Sequence, residues 1–280
     1  MPSLAGTVLP DRACDCHMHI YDSRFPAAPG ARLAPPDASL RDYARVQASL
    51  GLQGTVVVTP STYGTDNRCT LDALGRLGAA GRGVAVVAGS VTEPALRALH
   101  EAGVRAIRVN QTWSDATSLD DLETLAERIA PLGWHVEMLL RAADLVRLEG
   151  RLRELPVPVV FDHLGRLPAP AREHPGFQVL QRMLAGGATW VKLSGSYLCG
   201  DPADARALIE HFVGAWSERS VWGSNWPHPT SSAGLHPRPD DGRLLGDVLA
   251  VARRPSTLER LFVANPATLY GFTTKEEEQP

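Results

Sequence analysis

The sequence predicts a (β/α)8 barrel, an α/β fold made of a single domain, and two observations carry this prediction. Eight short runs of apolar and β-branched residues recur along the chain, and amphipathic segments of helical periodicity separate them. Strands that alternate with helices run parallel, and eight parallel strands close most simply into a barrel. The length of 280 residues and the 44% hydrophobic content suit one barrel of this size. An open, doubly wound sheet is the alternative architecture.

The first predicted strand, residues 14–21, carries two histidines two positions apart. Because side chains alternate along a strand, we expect Asp15, His17 and His19 on one face, with Met18 and the two cysteines of the strand on the other. In a barrel, the histidine face would look into the lumen and the cysteine face would pack under a helix.

The remaining elements alternate in order, and Ser39 is the predicted N-cap of the first helix. The predicted strands are 54–59, 83–89, 104–110, 135–140, 157–163, 190–194 and 220–226. The predicted helices are 39–50, 66–80, a short one that begins at Thr92, 119–131, 142–155, 177–184, 203–216, 243–251 and 257–269. Residues 1–280 contain no internal repeat and no linker, so they form one domain, and the charged segment 274–280 is predicted to be a frayed tail.

Composition excludes several classes of partner. The formal net charge is −3 and basic residues do not cluster with aromatics, so we expect no binding to nucleic acid. No apolar run is long enough for a membrane span, and residues 1–11 lack the pattern of a signal peptide, so a cytoplasmic protein is expected. The four cysteines form no CxxC pair and are expected to be reduced. The expected partner is a small molecule, and the sequence does not indicate an oligomeric state.

Polar residues stand where each predicted strand ends. In a barrel of this kind the active site is assembled from the carboxyl ends of the strands, so these residues are the candidates for function. They are His17 and His19, Ser61 and Tyr63, Ser90, Arg108 and Asn110, Glu137 and Arg141, Asp162 and His163, Ser194 and Tyr197, and Asn225 and His228.

Seven segments in order resemble the amidohydrolase superfamily. They are DCHMHIYD, TPSTYGTDN, GVRAIRVN, VVFDHLGR, WVKLSGSYL, WGSNWPHP and NPATLYGF. They are most similar to the amidohydrolase-related branch that holds the 2-pyrone-4,6-dicarboxylate lactonases and the D-galactarolactone isomerases. The resemblance implies a (β/α)8 barrel with HxH on its first strand, and an enzyme that attacks the carbonyl of a ring ester.

The chain departs from the pattern of this family at its eighth strand. Asn225 stands where the family usually has aspartate. An amide cannot act as a general base, and it offers a metal only a neutral oxygen. We therefore expect no metal and no other cofactor; a metal, if one were bound, would have His17 and His19 as its ligands. Ser114 and Leu198 align with arginines of the dicarboxylate lactonases, so a flat dicarboxylate is a poor substrate. Asparagine at this position is more similar to the sugar-acid lactone isomerases.

The resemblance implies roles for the residues at the strand ends. His17, His19 and His163 would polarise the lactone carbonyl, and Asn225 would orient a hydroxyl. The expected substrate contacts are Arg108, Asn110, Ser61, Tyr63, Tyr197 and His228. Arg108 could instead pair with Glu137 across the top of the barrel, and His163 could be a hydrogen-bonded core residue.

The reaction expected from these residues is metal-independent isomerisation of a sugar-acid (aldarate) 1,5-lactone to the 1,4-lactone. A lactone hydrolase in which a histidine replaces the missing base is one alternative. A metal-dependent hydrolase or decarboxylase of the same barrel is another. A sugar-acid binding protein that lacks catalysis is the alternative from a different class.

Overall fold

The computed structural model describes residues 8–114 and 116–273. Eight strands lie side by side in sequence order, and every neighbouring pair is parallel, which confirms the predicted barrel. The strands are β1 (Cys14–Met18), β2 (Gly54–Val58), β3 (Gly81–Ala85), β4 (Val104–Asn110), β5 (His135–Leu139), β6 (Val159–Phe161), β7 (Thr189–Leu193) and β8 (Ser220–Trp222). The predicted tail, 274–280, lies outside the described residues, as do the first seven residues of the chain.

Helices follow the strands and cover the outside of the barrel. They are α1 (Leu40–Leu50), α2 (Arg68–Leu77), α3 (Glu93–Glu101), α4 (Leu122–Ile129), α5 (Ala142–Arg153), α6 (Pro175–Ala185), α7 (Pro202–Trp216), α8 (Pro229–Ser232), α9 (Asp241–Leu249), α10 (Pro255–Glu259) and α11 (Asn265–Tyr270). Ser39 caps α1 in a capping box with Asp42, as predicted, and Thr92 is the N-cap of α3. Within the described residues, no helix combines the length and apolar character that crossing a membrane requires.

β1 and β8 approach each other just beyond the end of β8. The Asn225 N–H donates to the carbonyl oxygen of His17 at 2.8 Å, and the His19 N–H donates to that of Trp226 at the same distance. Gly223 makes this approach possible, because a Cβ at this position would lie 2.6 Å from the Cβ of His17. The backbone that closes the barrel therefore also carries the histidines and Asn225.

The alternation predicted for β1 is wrong because the strand is irregular. Asp15 is in register with Thr55, but Met18 is in register with Val57, so β1 contains one residue more than β2 over this stretch. An extra residue of this kind is a β-bulge, and it breaks the alternation of faces between the residues before it and the residues after it.

The bulge places Asp15 and the two cysteines on the opposite faces from those predicted. Asp15 faces the helices, where its carboxylate accepts hydrogen bonds from the Tyr43 hydroxyl at 2.9 Å and from the Ser224 hydroxyl at 2.6 Å. Cys14 and Cys16 lie in the apolar cluster of the lumen instead of under a helix. The histidines of β1 do face the lumen, as predicted, because the extra residue precedes them.

The lumen has an apolar lower layer and a charged upper layer. Side chains from seven strands and from α11 form the lower layer: Cys14, Cys16, Val56, Val58, Val84, Ala106, Val160, Trp190, Val221 and Tyr270. Arg108, Glu137, Asp162 and Lys192 lie above them, each at most 3% exposed. Charged groups of this kind are buried only when they are paired, so the upper layer is where function is expected.

Candidate active site

A cavity opens at the carboxyl ends of the strands, above the charged layer. It encloses about 390 Å³ of empty space, a figure that includes its open mouth. Six of the ten predicted site residues line it: His19, Ser61, Arg108, Asn110, His163 and Asn225. Apolar side chains, among them Trp113 and Leu198, form much of its wall. No aspartate or glutamate is among the described residues that line it.

His17 lies directly beneath the cavity and contacts both histidines that line it. Its Nε2 is 3.2 Å from Nε2 of His19, and its ring centre is 4.7 Å from that of His163. His19 is held by its own Nδ1, which donates to the carbonyl oxygen of Val58 at 2.8 Å. Burial, together with the nearby Arg108, lowers the pKa of His19 to about 3. Burial also lowers the pKa of His17 and His163 well below the ordinary value, so all three rings are neutral.

His163 is projected into the cavity by a left-handed turn. His163, Leu164, Gly165 and Arg166 all have positive φ, between 53° and 71°. Such a conformation is costly for residues other than glycine, and it is concentrated at functional sites. Nδ1 of His163 lies 2.8 Å from the Ser194 hydroxyl. The engaged Nδ1 leaves Nε2 available to a ligand.

The side chains of the charged layer form different ion pairs from those expected from the sequence. Nε and Nη2 of Arg108 both bind Oδ2 of Asp162, at 3.0 and 2.8 Å, and the alternative in which Arg108 pairs with Glu137 is wrong. Glu137 instead binds Nζ of Lys192 at 2.6 Å and accepts a hydrogen bond from the Tyr270 hydroxyl at 2.7 Å. Burial raises the pKa of Asp162, but the facing cations outweigh it and hold this pKa well below its usual range.

Asn225 is positioned by its own loop at the mouth of the barrel. Its φ is +60°, a conformation that asparagine tolerates better than most residues. Its Nδ2 donates to the Tyr197 hydroxyl at 2.8 Å, so Tyr197 supports Asn225 and does not itself line the cavity. The amide oxygen of Asn225 is left for a ligand.

Three other residues that were predicted to contact the substrate instead make hydrogen bonds within the protein. The Tyr63 hydroxyl accepts a hydrogen bond from the Asp22 N–H at 2.8 Å, and Nε2 of His228 lies 2.9 Å from Asp241. Neither side chain lines the cavity. Asn110 does line it, but its amide oxygen already accepts hydrogen bonds from two N–H groups of the following loop.

Arg166 is a residue of the cavity that the sequence-based reasoning missed. Its side chain lines the cavity, and within the described part of the chain no hydrogen bond or ion pair joins it to another residue. Burial lowers the pKa of Arg166, the direction expected for a guanidinium without a compensating anion. The signal was present in the segment VVFDHLGR, where Arg166 follows His163 by three residues in a glycine-containing turn.

The donor atoms of this site suit a divalent metal poorly. Ligand atoms of His17, Asp162 and His163 lie within 4.8 Å of one another, which alone could hold an ion. However, both carboxylate oxygens of Asp162 already face cations, Arg108 at 2.8 Å and Lys192 at 3.5 Å. A dication placed there would have to compete with these two cations for the carboxylate of Asp162. Asn225 adds no negative charge, so no step below depends on a metal.

The neutral histidines predict that the protein loses stability in acid. When folding lowers a histidine pKa, the unfolded chain binds the proton first, so stability falls as pH drops below the unfolded value of about 6.5. Each of the three rings contributes a slope of about 1.4 kcal/mol per pH unit. Asp15 acts in the opposite direction below pH 6, because burial raises its pKa to about 6. The expected loss from these four groups between pH 6 and 5 is about 2 to 3 kcal/mol.

Urea unfolding at pH 7.5, 6.5, 5.5 and 5.0 measures this loss. A free energy of unfolding that stays constant over this range would contradict neutral buried histidines.

Known proteins of the same architecture match nearly the whole chain. The model of the family described as Amidohydrolase matches residues 14–272. A 2-pyrone-4,6-dicarboxylate hydrolase of Comamonas testosteroni is 34% identical, over 96% of this chain and 93% of that protein. A D-galactarolactone isomerase of Agrobacterium fabrum is 29% identical, over 95% of each protein. The solved structure of ATU3138 from Agrobacterium tumefaciens superposes with a TM-score of 0.86 at 27% identity, covering 95% of this chain and 98% of that one.

These matches agree with the resemblance that the seven sequence segments carry. The matched range begins with β1 and its histidines and ends beyond α11, so it includes every residue of the cavity. The chain therefore belongs to the amidohydrolase family, and it is an enzyme.

Proposed function

We propose that this enzyme moves the acyl group of an anionic sugar-acid lactone from one hydroxyl of the substrate to another, without a metal. The substrate class is that of an aldarate 1,5-lactone, and the product is the 1,4-lactone. The relatives named as a pyrone dicarboxylate hydrolase and a galactarolactone isomerase support a ring ester as substrate.

The single observation that carries isomerisation is the absence of a carboxylate from the described lining of the cavity. Hydrolysis needs a base that can activate water, and such a base works best when its pKa is near the operating pH. His19, with a pKa of about 3, is far below that range. A hydroxyl of the substrate has an effective molarity of roughly 10⁵ to 10⁸ M when it is well oriented, so it needs much less activation than water.

The residues of the cavity have separate roles in this reaction. Nε2 of His163 donates a hydrogen bond to the carbonyl oxygen and stabilises the oxyanion that develops there. The amide oxygen of Asn225 accepts a hydrogen bond from the attacking hydroxyl and orients it. The proton of that hydroxyl passes to the ring oxygen that leaves. The protons balance, because one hydroxyl is consumed and one is released.

The guanidinium of Arg166 binds the carboxylate that the lactone retains. An aldarate lactone has one free carboxylate, and Arg166 is the cavity arginine that has no anion bound to it in the described structure. Nη1 of Arg108 makes no hydrogen bond with the described residues, so it can add a second contact at the floor of the cavity. Ser61, which also lines the cavity, is a further contact for a substrate hydroxyl.

Arg166→Met is expected to raise KM by roughly 10- to 100-fold, because a hydrogen-bonded charge contact is worth about 1.5 to 3 kcal/mol. The change in kcat should stay below about 3-fold, since the carboxylate is remote from the reacting carbonyl. Initial rates over a range of lactone concentrations measure both parameters. Arg97→Met is the matched control, because Arg97 is exposed on α3. An unchanged KM would exclude Arg166 as the carboxylate contact.

A lactone hydrolase is the second candidate function. The relative with 34% identity is named as a hydrolase, and His163 could serve as a weak base for water. A proton NMR time course of a panel of aldarate 1,5-lactones with the purified enzyme separates the two reactions. Isomerisation predicts the 1,4-lactone as the first product. Open-chain acid as the first product would favour the hydrolase.

A further inference from the structure

Lys192 on β7 lies in the charged layer below the cavity and is not among the described residues that line it. Its side chain is fully buried, and its Nζ lies 2.6 Å from Glu137, 3.1 Å from Nδ1 of His17 and 3.5 Å from Asp162. We propose that Lys192 is a positioning residue that fixes the tautomer of His17 and thereby the direction of the hydrogen bond between His17 and His19, which lines the cavity. The proposal does not depend on which lactone reaction the enzyme performs.

The choice of lysine at this position is unusual for this chain. Lysine and arginine together number 28, and only Lys192 and Lys275 of these are lysines. Arginine carries its charge on a broad planar fork, whereas the ammonium of lysine is compact and can face three acceptors at once. Three groups, one on β1, one on β5 and one directly after β6, surround Lys192, an arrangement that a compact cation suits.

The hydrogen bonds around His17 can run in only one direction while Lys192 is charged. An ammonium has donors only, so Nδ1 of His17, at 3.1 Å, must present its lone pair. Because His17 is neutral, its proton is then on Nε2, which faces His19 at 3.2 Å. The contacts of His19 require the same direction. The Val58 carbonyl can only accept, so the proton of His19 is on Nδ1 and its Nε2 is an acceptor. The bonds therefore run from Lys192 through His17 and His19 to Val58.

Asp162 favours the opposite tautomer of His17, in which the proton is on Nδ1. Its Oδ1 lies 3.2 Å from Nδ1 of His17 and could accept a proton from that atom. With Lys192 present, the ammonium supplies the hydrogen that both Asp162 and His17 can accept. Without Lys192, Nδ1 of His17 would donate to Asp162 and Nε2 would lose its proton.

The opposite tautomer would turn the histidine pair into a chelating site. Two Nε2 lone pairs would then face each other at 3.2 Å, close to the roughly 3.3 Å that separates two nitrogens bound to one tetrahedral zinc ion. One of the two positive charges that oppose a dication would also be gone. Lys192 thus keeps the two Nε2 atoms of the HxH pair hydrogen-bonded to each other and prevents the pair from acting as a metal site.

The test compares two variants that differ only at position 192. Glu137→Gln retains Lys192, and the double variant Lys192→Met/Glu137→Gln removes the ion pair as a unit, so neither partner is left buried and uncompensated. Proton–nitrogen correlation spectra of ¹⁵N-histidine-labelled protein report which ring nitrogen of His17 carries the proton, and His17→Asn assigns the signals. Titration with zinc chloride, followed by calorimetry, measures metal binding.

We expect the His17 proton on Nε2 in the wild type and in Glu137→Gln, and on Nδ1 in the double variant. We also expect the double variant to bind Zn²⁺ at least 10-fold more tightly than Glu137→Gln, the scale on which groups behind a ligand change metal affinity. A merely structural role of Lys192 would move neither readout. A wild-type His17 protonated on Nδ1 would overturn the proposal without any variant. The same tautomer and zinc affinity in both variants would overturn it as well.

Discussion

His163→Asn is expected to lower kcat by about 10² or more while the barrel remains folded, because the variant loses the donor that faces the lactone carbonyl. The imidazole of His163 lines the cavity, and its Nδ1 is already engaged with Ser194. Asparagine tolerates the left-handed backbone at this position, where φ is +54°, so the turn should persist. Turnover of the lactone under saturating substrate measures the loss.

His236→Asn is the matched control for this variant, because His236 is an exposed histidine outside the cavity and should leave kcat unchanged. A cooperative urea transition of His163→Asn close to that of the wild type would show that the fold is intact. Wild-type turnover by this variant would reduce His163 to a hydrogen-bonded residue of the core.

Asn225→Asp is expected to gain hydrolysis of the same lactone while isomerisation falls. The change is nearly isosteric, and aspartate also tolerates the φ of +60°. The new carboxylate can accept a proton from water, which the amide cannot do. It also disfavours the negative charge that develops on the carbonyl oxygen, so isomerisation becomes slower. NMR of the reaction mixture would detect open-chain acid that the wild type does not form.

Asn225→Gly separates the two effects of this substitution. It keeps the left-handed backbone but removes the amide without adding a base, so isomerisation should fall with no gain of hydrolysis. If the wild type already hydrolyses the lactone as its main reaction and Asn225→Asp is slower, the isomerase account is wrong. The hydrolase that uses a histidine would then stand.

The fold was predictable because its signals are local and repeated. Each strand is a short apolar run and each helix an amphipathic one, and the order of the eight pairs leaves few topologies. The bulge in β1 was not predictable, because no residue of the segment 14–18 marks an extra position. Its effect on Asp15 and the cysteines was therefore missed. The last predicted helix, 257–269, is in fact α10, a π-helical turn at Arg260–Ala264, and α11.

The partners of buried charges were harder to predict than their positions. Arg108 was expected at the carboxyl end of its strand and lies there, but its pairing with Asp162 depends on which side chains meet across the barrel. Lys192 was not predicted as a functional residue, because a lysine within a strand indicates no function until the groups around it are known. Arg166 was overlooked because a residue in a loop after a strand has no periodicity to place it.

Reaction in H₂¹⁸O tests most directly the central claim that the acyl group passes to a hydroxyl of the substrate and not to water. The account predicts that the enzyme converts an aldarate 1,5-lactone to the 1,4-lactone with no ¹⁸O in the product, as read by mass spectrometry. The result should be the same after the protein has been treated with a chelator, because no metal takes part. Product that carries one ¹⁸O for each lactone consumed would show that water is the nucleophile, and it would contradict the account.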